Sequence, residues 1–129
     1  VADSLVRLPV AVKTIDGYLR AQGIARADFA KLDVEGAELE VLRGGRGSLL
    51  VELRPLFLVE LADVRTAPWG YASVEIYAFL AERDYHWFAV DAAGRLAPAP
   101  RKERFHENLI AVPREKLDSI APWLAGGPT

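Results

Sequence analysis

The 129 residues contain no cysteine and no methionine. Without cysteine there are no disulfides and no thiolate metal ligands, which excludes both a disulfide-stapled scaffold and a zinc–cysteine site. A reducing, cytoplasmic setting fits that composition. An excess of one charge is also missing, since 16 Lys and Arg face 18 Asp and Glu. No basic stripe is present, so nucleic acid is not an expected partner. Long apolar runs are absent too. Stretches such as Leu56 to Val59 fall far short of the roughly 20 residues a helical span needs, so no membrane span is expected. No secretory leader is read ahead of the first strand-like stretch. The abrupt start at Val1 reads as a piece of a longer chain.

Just over half of the residues are apolar (51%) and about a quarter are charged (26%), a balance suited to one globular domain with one core. Residues 5–13, rich in Val and Leu, read as a strand with Pro9 at an edge or bend. Thr14 is the expected N-cap of a short helix over Ile15 to Gln22, stopped at Gly23, with Gly17 counting against it. Asp28 to Val34 is the second expected strand. A helix follows over Glu35 to Arg43 and ends at Gly44-Gly45, with a short helical stretch around Ser48 to Leu53. Leu56 to Leu61 is the third strand, residues 62–70 a loop, and Ser73 to Arg83 a largely buried helix. Tyr85 to Val90 and Asn108 to Val112 read as strands. Between them come a turn at Asp91–Gly94 and a return segment from Leu96. A last helix runs from Pro113 to about Leu124 and ends at Gly126-Gly127-Pro128. Alternating strands and helices predict a mostly parallel sheet, half of a doubly wound one, closed by an antiparallel hairpin.

Open α/β sheets bind ligands beyond the carboxyl ends of their strands. The second strand ends in Asp33-Val34-Glu35, and the third ends at Glu60, with Asp63 just beyond. Carboxylates therefore gather at one edge. Strand alternation puts Lys31 and Asp33 on one face. Helical spacing puts Glu38 inside the apolar arc between Val41 and Leu42, where a carboxylate lies in a cleft or is paired. Gly36 permits close backbone approach. The same residues also admit a plain structural reading, with acids at a helix start and a Lys31–Asp33 ion pair.

These residues also resemble a family. Val12-Lys-Thr-Ile-Asp-Gly-Tyr-Leu19, Asp28-Phe-Ala-Lys-Leu-Asp-Val-Glu-Gly-Ala-Glu38, Val41-Leu-Arg-Gly44, Pro55 to Glu60 and Asn108 to Pro113 are similar, in order, to segments of FkbM-type methyltransferases. The resemblance implies an α/β, partial Rossmann-like methyltransferase fold. It would hold the fourth to seventh strands, with the N-terminal cofactor-binding strands missing. Residues 1–129 would then be the C-terminal portion of a single methyltransferase catalytic domain. Gly44-Gly45-Arg46-Gly47 follows a helix rather than a strand, so it reads as a helix stop and not a dinucleotide turn.

The implied reaction is methyl transfer from S-adenosylmethionine to a hydroxyl on a sugar, lipid or secondary metabolite. Asp33, Glu35 and Glu60 are the catalytic candidates, one of them as base. Asp33, Val34 and Glu35 are expected on the cofactor side. Lys31, Glu38, Trp69 and Tyr71 are expected on the substrate side, the two aromatics as a lid. The carboxylates alternatively hold Mg²⁺. Asn108, Trp87 and Trp123 read as structural, and His86 and His106 lack a catalytic motif. Two rival readings stand beside this one. Asp33-Val-Glu-Gly-Ala37 superficially resembles the opening motif of haloacid-dehalogenase-like phosphotransferases. A half-sheet with an exposed edge would instead be a non-catalytic module that self-associates.

Overall fold

The computed structural model describes residues 4–126. Its sheet has five strands, β1 (Phe29–Leu32), β2 (Leu56–Ala62), β3 (Tyr85–Val90), β4 (Leu96–Pro98) and β5 (His106–Pro113), in the order β1-β2-β5-β3-β4. Five α-helices accompany it: α1 (Ile15–Ala21), α2 (Glu38–Arg43), α3 (Asp63–Thr66), α4 (Val74–Ala81) and α5 (Leu117–Ile120).

Only β1 and β2 pair in parallel; β2–β5, β5–β3 and β3–β4 are antiparallel. The expectation of a mostly parallel sheet is therefore corrected. Its logic held as far as strand direction. β2 and β3 both run opposite to β5, so they run the same way, as a helical crossover requires. What alternation could not reveal is the gap between them. α4 carries the chain past the neighbouring position, and β5 returns to fill it.

A second correction concerns residues 5–13. They form no strand, and Leu5, Val6, Leu8, Val10 and Val12 are all strongly exposed. Branched apolar residues suit a pleated surface, but a strand exists only with a partner, and none is supplied here among the described residues. A third concerns the chain end. The single helix expected from Pro113 is a 3₁₀ turn, then α5, then a second 3₁₀ turn at Ala121–Trp123. Pro122 has no N–H to continue α5. Gly127 and Pro128 of the expected stop lie outside the described residues.

The N-terminal helix forms for local reasons. Thr14 is extended, and its Oγ1 accepts the Gly17 N–H at 3.0 Å. A Cβ on Gly17 would stand 2.9 Å from that oxygen, so the glycine that weakens the helix also makes room for its cap. Asp16 is buried, and its two oxygens accept the N–H groups of Gly47 (2.6 Å) and Leu49 (2.9 Å). That carboxylate ties α1 to a π-helical turn at Ser48–Leu53.

One sheet face carries Phe57, Val59, Leu61, Trp87, Leu109 and Ala111 against Leu19, Leu42, Leu50, Ile76 and Leu80. Each such large side chain contributes about 1.5–3 kcal/mol on burial. On the other face Phe88, Leu96 and Val112 pack under Leu117, Ile120 and Leu124. That cover does not extend to the β1 edge, where Phe29 is 57% exposed. No helix among the described residues is long and apolar enough to cross a membrane.

Candidate functional site

Parallel pairing of Leu32 with Val59 brings the next residues, Asp33 and Glu60, out side by side at the carboxyl ends of β1 and β2. Both point to the face opposite the buried Leu32 and Val59. Asn108 of β5 stands directly across from Glu60 in the ladder.

The chain then reverses in a tight turn. Glu35 and Gly36 have φ of 55° and 102°. A Cβ at Gly36 would lie 2.2 Å from the Arg65 carbonyl oxygen and 2.6 Å from Trp69 Cδ1, so only glycine fits. Glu35 holds a left-handed conformation that costs a non-glycine residue about 1–2 kcal/mol. The turn is fastened from outside. Trp69 Nε1 donates to the Glu35 carbonyl at 3.2 Å, and the Tyr71 hydroxyl donates to the Gly36 carbonyl at 2.7 Å. Burial pushes the Tyr71 phenol up to about 12, which keeps its proton on that bond.

This turn delivers Glu38 to the first position of α2 and folds it back under the strand end. Its Oε1 accepts the Val34 N–H at 3.1 Å. The residue is 1% exposed, and its Oε2 has no partner. Glu60 Oε1 is likewise buried and unpartnered. Asp33, Glu38 and Glu60 each bring a carboxylate oxygen within 4.8 Å of the other two. Carboxylates set this close repel one another when ionised. None of the ion pairs among the described residues reaches any of the three.

Other expected site residues fall around this centre. Glu35 is not brought into the group; its carboxylate faces Arg65 at 3.2 Å. Lys31 is exposed on the face of Asp33, and no ion pair among the described residues joins the two. Val34 is partly exposed at the turn. Trp69 and Tyr71 stand against the turn itself. His86 and His106 are exposed and outside the acidic group.

Asp63, the other acid at this edge, is differently employed. Its oxygens accept the N–H groups of Ser73 (3.0 Å) and Phe105 (2.8 Å). Partial desolvation works against ionisation, yet these bonds outweigh it and hold the carboxyl below its ordinary range. A groove of about 650 Å³ lined by Val12, Tyr18, Glu40, Val41 and Trp69 runs along the opposite flank of α2, and the three carboxylates lie outside it.

Sequence reasoning missed the fastening of the turn by residues 69–71, since nothing in the loop composition announces which carbonyl an indole or phenol will meet. The position of Asn108 beside Glu60 depends on β5 filling the gap in the sheet.

A family profile described as "Methyltransferase FkbM domain" matches residues 2–87, a span that contains Asp33, Glu38 and Glu60 together with the Trp69–Tyr71 fastening. Neither a curated protein nor a solved structure matches the chain. The profile covers two thirds of the sequence and the whole of the acidic strand edge, and the chain belongs to the methyltransferase FkbM domain family.

Proposed function

We propose that this chain is the C-terminal portion of the catalytic domain of an S-adenosylmethionine-dependent methyltransferase acting on a hydroxyl of a sugar, lipid or secondary metabolite. The observation that carries the reading is the group of under-satisfied carboxylates at the carboxyl ends of β1 and β2, inside the family match. S-adenosylmethionine, when bound, supplies a methyl group on a positively charged sulfur. Buried anionic oxygens without partners suit a cationic ligand beside them.

The residues divide the work by exposure. Asp33 is exposed and close to Glu60, so it takes the proton of the acceptor hydroxyl. Glu60 and Glu38, more deeply set, supply fixed negative charge. Val34, whose N–H is engaged by Glu38, offers an apolar wall at the turn. Trp69 and Tyr71 set the position of the turn, and the exposed indole of Trp69 is available to the acceptor.

Calorimetry with S-adenosylmethionine tests the reading on this chain joined to its own upstream coding sequence. Saturable binding is expected, and no binding by that longer protein would end the methyltransferase proposal.

A further inference from the structure

We propose that Asp33, Glu38 and Glu60 form a binding site for a hard divalent cation of the Mg²⁺, Mn²⁺ or Ca²⁺ class. The proposal uses the same carboxylates as the methyl-transfer reading but does not depend on methyl transfer.

The donor set is all carboxylate oxygen, with no imidazole and no sulfur, which is the chemistry that hard cations select. The strongest indication is Glu38. One oxygen is anchored by the Val34 N–H; the other is buried and has no partner, and the carboxylate lies within 4.8 Å of those of Asp33 and Glu60. A carboxylate oriented this way through one oxygen resembles a metal ligand held by an outer hydrogen bond. Glu60 adds a second buried oxygen without a partner. No ion pair among the described residues reaches these three carboxylates. Arg65, on the neighbouring helix α3, is paired with Glu35 instead.

Size agrees as well. Three oxygen atoms within 4.8 Å of one another can share a centre no more than about 2.8 Å from each, close to the roughly 2.3–2.6 Å of a Ca²⁺–oxygen contact, and Mg²⁺ would need them drawn closer. Asp33 is exposed, so the site opens to water on that side. A cation there would keep part of its hydration, as Mg²⁺ prefers. Asn108, opposite Glu60 in the ladder, stands where a neutral oxygen could complete the set.

A shared proton is the rival way of relieving the repulsion, and thermal unfolding separates the two. The chain is stripped with EDTA, then melted alone and with MgCl₂, MnCl₂ or CaCl₂, in the absence of S-adenosylmethionine. At least one cation should raise Tm by on the order of 10 °C at about 100 times its Kd. In D33N and E60Q the rise should vanish, while in EDTA both should melt at or above the unsubstituted chain because a repulsion has been removed. E35Q, altered at a carboxylate outside the group, should keep the full rise. Mn²⁺ titration followed by its paramagnetic resonance should find one tight ion per chain. The proposal is overturned if none of the three cations moves Tm at millimolar concentration, or if D33N and E60Q respond like the unsubstituted chain. Since no methyl donor is present, either result leaves the methyltransferase reading to its own test.

Discussion

Glu60 and Asp63 lie at the same end of β2, three residues apart. Asp63 spends both oxygens on backbone N–H groups, tying the start of α4 and the entry to β5 to the strand end. Glu60 keeps a buried oxygen with no partner and stands within a few ångströms of two more carboxylates. Composition and exposure pattern treat these two acids alike. What separates them is whether the fold supplies donors. A carboxylate surrounded by N–H groups is an anchor, while one surrounded by other carboxylates is waiting for something positively charged or for a proton to take.

The turn that assembles the unsatisfied group should be the most sensitive point. Gly36→Ala combines positive φ with a clash against the Arg65 backbone, and an expected loss of about 3–4 kcal/mol would appear in urea unfolding. A smaller loss would mean that the turn can be rebuilt and that its geometry is not what holds Glu38 in place.

The direct comparison comes next. Asp63→Ala strands two N–H groups and should cost about 2–3 kcal/mol. Glu60→Gln should cost nothing or stabilise the chain slightly in the absence of cations. The two should also differ with pH. Asp63 has a folded-state pKa below its unfolded value, so its contribution is present above about pH 4 and is lost as the pH falls further. Acid unfolding followed by circular dichroism should therefore flatten below that pH in Asp63→Asn. Equal costs for the two residues at neutral pH would erase the distinction between anchor and site.

Much of this was legible in the sequence because it is local. Thr14 as a cap, the break after Arg43, the β3 span and the gathering of acids at the strand ends follow from short-range rules. The register that sets Asp33 beside Glu60 is seen only in the structure. What stayed hidden is non-local. β5 entering between β2 and β3 is decided by a gap that α4 leaves, not by any residue in β5 itself. Residues 5–13 have the composition of a strand, yet composition does not provide a neighbour to pair with. Glu35, a catalytic candidate from its place at the strand end, has a left-handed φ and faces Arg65 instead, which its position in the sequence does not reveal.

The central claim is that the unsatisfied acids at the sheet mouth are where methyl transfer occurs. Transfer of a tritium-labelled methyl group from S-adenosylmethionine to hydroxyl acceptors, by the chain joined to its upstream sequence, tests it most directly. The account predicts that Asp33→Asn, folded and melting normally, loses at least about 100-fold in kcat. Unchanged turnover in that variant would contradict it.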